Sequence, residues 1–326
     1  MMTPRESFIK ALRREPIQGH VPHFELVMFL TMESIGRIHP LHRDYSQWYQ
    51  MSAAERRLHL VDMAKAYIET AEKYHHSAIF VHPNPGPNGE MPDDIESTRA
   101  ILETIRELSG DTYFLMIHGD PTYPIPTGDT MMEFSTMMYE EPEKLHDGTK
   151  RKVEFAQKLC DEMHKHPGLL DGWALCSDYC FNVNPFYSRD MFAEFVQPYL
   201  KEILDYYRAN GYYSIKHTDG NVVPILDMIV DCGPDAVHSL DPQGGVDLAE
   251  AKRLYGDRVC LIGNVNCGLM QTGTEEELVA DVRRALRQGM PGYGYIFSTS
   301  NCAFTGLELK RYELMNKIWW EEGIYQ

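Results

Sequence analysis

The sequence predicts an α/β fold: a (β/α)8 TIM barrel, a single domain over residues 1–326 with an N-terminal helical extension. Eight short apolar runs of β type recur along the chain, and a helix-sized insert follows each of them. No linker, low-complexity tract or internal repeat interrupts the 326 residues, a length that one α/β barrel routinely holds.

The N-terminal extension begins at Thr3-Pro4-Arg5-Glu6, which reads as a helix start. A threonine caps, proline occupies the first helical position, and glutamate follows three residues after the cap. The eight β-type runs fall at residues 22–28 (PHFELVM), 77–82 (SAIFVH), 113–118 (YFLMIH), 172–176 (GWALC), 212–217 (YYSIKH), 236–240 (AVHSL), 259–263 (VCLIG) and 293–299 (YGYIFST). Amphipathic helical patterns occupy residues 188–209, 222–230, 248–254 and 275–287 between them. Residues 119–138 carry Pro121, Pro124 and Pro126; this stretch either covers the mouth of the barrel or runs as a long surface connection.

Acidic side chains outnumber basic ones, 48 to 31, for a formal charge of −17. Such a balance lacks the basic stripe that nucleic acid requires, so no nucleic-acid partner is expected. It favours a protein partner with a basic docking face. Seven cysteines at irregular spacing, with no CxxC pair, fit a reducing cytoplasm better than a disulfide framework. The amphipathic start has no apolar signal core, and no apolar run approaches the length of a membrane span. A cytoplasmic protein without a membrane partner, and one able to form a homo-oligomer, is the expectation.

In a barrel of this type the chemistry sits where the strands end. Here those ends carry Glu25, His82, His118, Ser177, Asp178, His217, Asp219, Asp241, Asn264, Asn266, Ser300 and Cys302. Any one of them has a bland explanation, because Asp, Ser and Asn cap the helices that follow strands; a ring of them points to a site. The sharpest motif is KHTDGN at residues 216–221. Strand side chains alternate faces, so His217 and Asp219 point the same way and can grip one Zn²⁺ with a position left open. Cys302 is the best third ligand, with Glu25 and His118 as lesser ones. Alternatively, Asp219-Gly220 is a plain turn and His217 a hydrogen-bonded pocket residue.

Several ordered motifs resemble the uroporphyrinogen-decarboxylase-like superfamily: TPRESFIKALRREPIQGHVP at the start, SRDMFAEFVQPYLKEI with Pro198 inside a helix, and the run from KHTDGN through LDPQGG to IGNVN. The resemblance implies the barrel and two competing chemistries. Porphyrinogen decarboxylases hold a polycarboxylate with an arginine-rich first strand end, whereas this chain reads HFELVMFLTMES there. A glutamate among apolar groups repels a polyanion. The other branch comprises zinc methyltransferases that work with corrinoid proteins through a His-x-Cys motif and a distant cysteine. This chain is similar in keeping His217 and Cys302 but has Asp219 in place of cysteine, which makes a site harder and better suited to oxygen.

The apolar, Met-rich stretch after the first run also resembles methyltransferases that demethylate methoxylated aromatics. That implies Zn²⁺, a small aryl methyl ether as substrate, and a corrinoid (cobalamin) on a separate carrier protein, since no Asp-x-His-x-x-Gly signature is present. Asp178, Asp241 and His118 become the candidate catalytic residues, and Asn264, Asn266 and Ser300 the candidate cofactor contacts. Three alternatives stay open: second-step transfer from methyl-corrinoid to tetrahydrofolate or a thiol, porphyrinogen decarboxylation, or a binding barrel without chemistry.

Overall fold

A computed structural model describes residues 2–82 and 95–325. After a two-residue strand β1 (Gly19–His20), seven parallel strands follow in chain order: β2 (Ala78–Phe80), β3 (Phe114–His118), β4 (Gly172–Leu175), β5 (Tyr213–Thr218), β6 (Ala236–Ser239), β7 (Cys260–Ile262) and β8 (Tyr295–Ile296). A last short strand, β9 (Ile324–Tyr325), pairs antiparallel with β1. Each strand of the curled sheet pairs with its sequence neighbour, as right-handed β-α-β units require.

Seven of the eight expected runs coincide with β2–β8. The first forms no ladder; it joins the two edges of the sheet by single parallel bridges, His23 to His76 on one side and to Phe297 on the other. Pro22 cannot donate and only accepts the Phe297 N–H, so pairing there starts a residue late. Strand β8 also starts later than its apolar run, because Tyr293 and Gly294 both take positive φ, which an extended strand cannot contain.

Alternation of side chains sorts the core. Phe114, Met116, Ile215 and Ile262 fill the barrel, while Leu115, Ile117 and Leu175 pack against the outer helices. The helix Pro4–Leu12 starts on the expected Thr3–Glu6 capping box and plugs the amino-terminal end, with Phe8 packed on Phe24 and Phe114. The single helical pattern read at 188–209 is two helices, Arg189–Phe195 and Gln197–Ala209, broken at Val196. Pro198 then stands in the first turn of the second helix, where its missing N–H costs nothing. No helix among the described residues is long and apolar enough to cross a membrane.

On the outer side of β5, Lys216 is fully buried. Its ammonium donates to Asp120 Oδ2 at 2.8 Å, to the Ser177 carbonyl at 2.8 Å and to the Leu175 carbonyl at 3.3 Å, and it lies 4.1 Å from the centre of the Tyr179 ring. Asp120 also accepts from the Ser177 N–H and the Thr122 hydroxyl. One ion pair therefore ties together the ends of β3, β4 and β5. Burial alone would raise the Asp120 carboxyl; Lys216 and the hydrogen bonds outweigh it and hold the group at about 2.

Breaking this pair strands a buried charge, so Asp120→Asn is expected to cost about 3–5 kcal/mol in urea unfolding, and adding Lys216→Met should recover part of that loss. Because the folded carboxyl lies below its ordinary 3.8, its contribution is complete above pH ~4 and fades as pH falls toward 2. The gap between wild type and the double variant should narrow over that interval.

Candidate metal centre and active site

Strand β5 carries His217 inward and releases the chain into the turn at Asp219-Gly220. Gly220 has φ +79°, and a Cβ there would stand 2.5 Å from the Phe181 carbonyl oxygen. Only glycine lets this turn lie flat against the loop that follows β4. That loop brings Asp178 to the same place, and its carboxylate accepts the Asp219 N–H at 3.0 Å.

Asp178, His217 and Asp219 thus meet, each offering one ligand atom, all within 4.8 Å of one another. His217 Nε2 lies 3.7 Å from Asp178 Oδ1 and 3.7 Å from Asp219 Oδ1. His217 is buried beneath, while the Asp178 side chain is 44% exposed and that of Asp219 25%, so the cluster opens toward solvent. Asp219 Oδ2 accepts from the Asn301 amide, whereas Asp219 Oδ1 is buried without a hydrogen-bond partner. Burial pushes the Asp219 carboxyl up, against the pull of His217 and with help from Asp178. A divalent cation answers each of these features: it would take the orphaned oxygen, neutralise two adjacent carboxylates and bind the imidazole. An N/O donor set of this kind suits a harder ion than a thiolate set does.

Behind His217 the register of β5 and β6 places His238. The two Nδ1 atoms are 2.7 Å apart. His238 is fully buried, and its burial, followed by the neighbouring His217, pushes its pKa far down. Its Nε2 is 3.3 Å from Ser298 Oγ, and Ser298 in turn donates to Glu25 Oε2 at 3.5 Å. Glu25 further accepts from the Thr299 hydroxyl at 2.6 Å and the Thr299 N–H at 3.2 Å. Nothing in the β6 run AVHSL reveals this arrangement, because pairing register is not written in a single strand.

The remaining sequence candidates occupy varied positions. Glu25 and Cys302 place no ligand atom in the three-residue group. Cys302 lies within electrostatic reach of Asp219, Glu25 and Cys267, and burial pushes its thiol up to about 12. Asp241 caps the turn Pro242–Gly244 through the Gln243 N–H; burial raises its carboxyl, against the pull of the Gln243 and Gly220 backbones and the Ser300 hydroxyl. His118 ends β3 beside Asp120, Lys216 and His217, and burial lowers its pKa.

Asn264 is fully buried between the Leu240 carbonyl and Arg284. Asn266 caps the helix Cys267–Thr272, and Ser300 accepts the Cys267 N–H at 3.5 Å. Each of the three thus bonds the chain itself. The stretch 119–138 is tied back to the site, since the Ile125 N–H donates to the Asp178 carbonyl, and its second half forms the helix Thr130–Glu140.

An α/β barrel with a polar cluster at the carboxyl ends of its strands has its site where enzymes of this architecture carry theirs. Residues 121–318, more than half of the chain, match the family model of uroporphyrinogen decarboxylase (URO-D), and the chain belongs to that family. It is 30% identical over 163 residues to a uroporphyrinogen decarboxylase of Chlorobium luteolum, covering 47% of this chain and 41% of that one. It is 27% identical over 242 residues to one of Mannheimia succiniciproducens, covering 68% and 62%. The matches thus span about half the length of these curated relatives. Among solved structures, a methyltransferase from Methanosarcina mazei shares the fold with a TM-score of 0.73 at 16% identity, over 98% of this chain and 99% of that one.

The geometry makes a prediction about ligand identity. Loaded with Co²⁺, the protein should show a d–d spectrum without thiolate-to-cobalt charge transfer, and Cys302→Ser should leave it unchanged. A charge-transfer band lost in Cys302→Ser would replace Asp178 by Cys302 as the third ligand.

Proposed function

We propose that this chain is a methyltransferase that takes a methyl group from an aryl methyl ether and delivers it to the reduced cobalt of a corrinoid carried on a separate protein. The observation that carries the reading is the bare, buried Asp219 Oδ1 beside His217 and Asp178, an oxygen-and-nitrogen site for a divalent metal, with Zn²⁺ as the leading choice. The fold shared with a protein described as a methyltransferase supports it.

The floor of the site speaks against the reaction in the relatives' name. Asp178, Asp219, Asp241 and Glu25 all face or underlie it, and among the described residues the cation at the end of β5, Lys216, is consumed by Asp120. Residues 83–94, which follow β2, contain no lysine or arginine. A substrate bearing many carboxylates would meet like charge at Asp178 and Asp219. A neutral ring suits the site better: the backbone of Val27 and Phe29 pairs with Ala303, two residues after Asn301, which holds Asp219, and brings apolar residues near the cluster.

The step breaks the CH₃–O bond with its electron pair going to oxygen, and forms the carbon–cobalt bond with the electron pair of Co(I). One proton is then taken up by the phenolate. Bound at Asp178, His217 and Asp219, a divalent cation would act as a Lewis acid on the ether oxygen. The chain's own part is to hold that oxygen close to the cluster, to wall off one face of the ring with Val27 and Phe29, and to leave the methyl directed outward. Asp178, half-exposed at the rim, leaves the cluster open to solvent, from which the departing oxygen takes its proton. His118 and Asp241 flank the cluster and orient it.

Incubation with cob(I)alamin, or with a reduced corrinoid carrier, and a panel of methoxybenzenes should release the corresponding phenols in step with methylcobalamin. Prolonged dialysis against dipicolinate should abolish the activity and Zn²⁺ or Co²⁺ restore it. His217→Ala and Asp219→Ala should each lower it by ~10²-fold or more. Chelator-resistant turnover, coproporphyrinogen formed from uroporphyrinogen, or methyl transfer from methylcobalamin to tetrahydrofolate or a thiol in place of phenol release would overturn the reading.

A further inference from the structure

Two imidazole nitrogens 2.7 Å apart, His217 Nδ1 and His238 Nδ1, can share only one proton between them. Which ring owns it decides whether His217 Nε2 faces the carboxylates as a lone pair or as an N–H. The far side of His238 answers the question. Ser298 Oγ lies 3.3 Å from His238 Nε2 and donates its single hydrogen to Glu25 Oε2 at 3.5 Å. With that hydrogen given to Glu25, the hydroxyl oxygen can only accept from the ring, so His238 carries its hydrogen on Nε2.

Ser298 Oγ can accept from that N–H and still donate to Glu25 Oε2. In neutral His238 the Nδ1 atom is therefore a lone pair, and the proton between the rings sits on His217 Nδ1. In a neutral His217 ring Nε2 is then bare. Its 3.7 Å distances to Asp178 Oδ1 and Asp219 Oδ1 are too long for hydrogen bonds, and Asp219 Oδ1 is left without a donor, as a proton-free Nε2 requires.

We infer that His238, backed by Ser298, Thr299 and Glu25, is a positioning residue that fixes His217 in the Nδ1–H tautomer and so presents the Nε2 lone pair to whatever cation Asp178 and Asp219 hold. The elements that form the device are three: β6 supplies His238, the segment after β8 supplies Ser298 and Thr299, and the first stave supplies Glu25. A metal-binding histidine whose second nitrogen donates to a fixed acceptor is the general means of orienting such a ligand. Here the acceptor is a second histidine, with a buried carboxylate two bonds behind it. The inference deepens the metal-site reading and rests on it only where affinity is measured.

The test has two arms. Long-range ¹H–¹⁵N spectra of the metal-free protein, labelled at histidine, report each ring's tautomer; the His217 signals are assigned by their loss in His217→Gln. Wild type should show His217 protonated at Nδ1 and His238 at Nε2, and the opposite assignment for either ring overturns the inference without reference to any metal.

In the second arm Zn²⁺ affinity is measured by competition with a chromophoric chelator. His238→Leu should weaken it 10–100-fold. His238→Asn, whose side-chain oxygen can stand where Nδ1 stood, should stay within about threefold of wild type and keep the His217 tautomer. Equal affinity in wild type and His238→Leu overturns the inference. Absence of Zn²⁺ binding in wild type removes the metal reading and leaves the spectra to decide the tautomer.

Discussion

A single buried ammonium organises the working end of this barrel. Lys216 and His217 are adjacent on β5 and face opposite sides of the sheet. The lysine, turned outward, bonds Asp120 and the carbonyls of Leu175 and Ser177, and thereby fixes how the chain leaves β3 and β4. Asp178 follows Ser177 directly, so the position of one metal-facing carboxylate depends on the ion pair behind it. A buried pair of this kind adds little net stability over a well-packed apolar pair, but it specifies one arrangement of three strand ends, which apolar contacts would not.

On the inner side, parallel pairing does the corresponding work. His217 and His238 are partners in the β5–β6 register, which sets two rings face to face inside an apolar barrel. The group is costly to bury unless each polar atom finds a partner. Ser298, Thr299 and Glu25 satisfy the deep end. At the shallow end Asp219 Oδ1 stays unsatisfied, and the raised Asp219 carboxyl is the electrostatic expression of the same deficit. The unfilled demand of the network therefore falls at the point nearest solvent, where an incoming cation can meet it.

Much of the scaffold was legible in the sequence because it follows from local pattern: apolar runs spaced by helical inserts foretell β2 to β8, and TPRE foretells the capped first helix. The pair His217 and Asp219 was legible for the same reason, since two residues on one strand share a face. What escaped needs information from distant segments. Asp178 joins the pair because Gly220 allows a turn that donates the Asp219 N–H to it; His238 enters through register; Lys216 finds Asp120 across 96 positions of chain. Cys302 was chosen for its place just beyond the last strand, and it lies near Asp219 without entering the three-residue group. The strand-end asparagines bond Arg284, Leu240 and a helix N-terminus, partners that a reading of single strand ends does not reveal.

The central claim is that Asp178, His217 and Asp219 form a cation site above the paired histidines. Anomalous diffraction at the zinc edge, on crystals grown with stoichiometric Zn²⁺, tests it most directly. The account requires one dominant peak in bonding contact with His217 Nε2 and with oxygens of both aspartates. A peak seated instead between Cys302 and Glu25, or none in the barrel mouth, would contradict it.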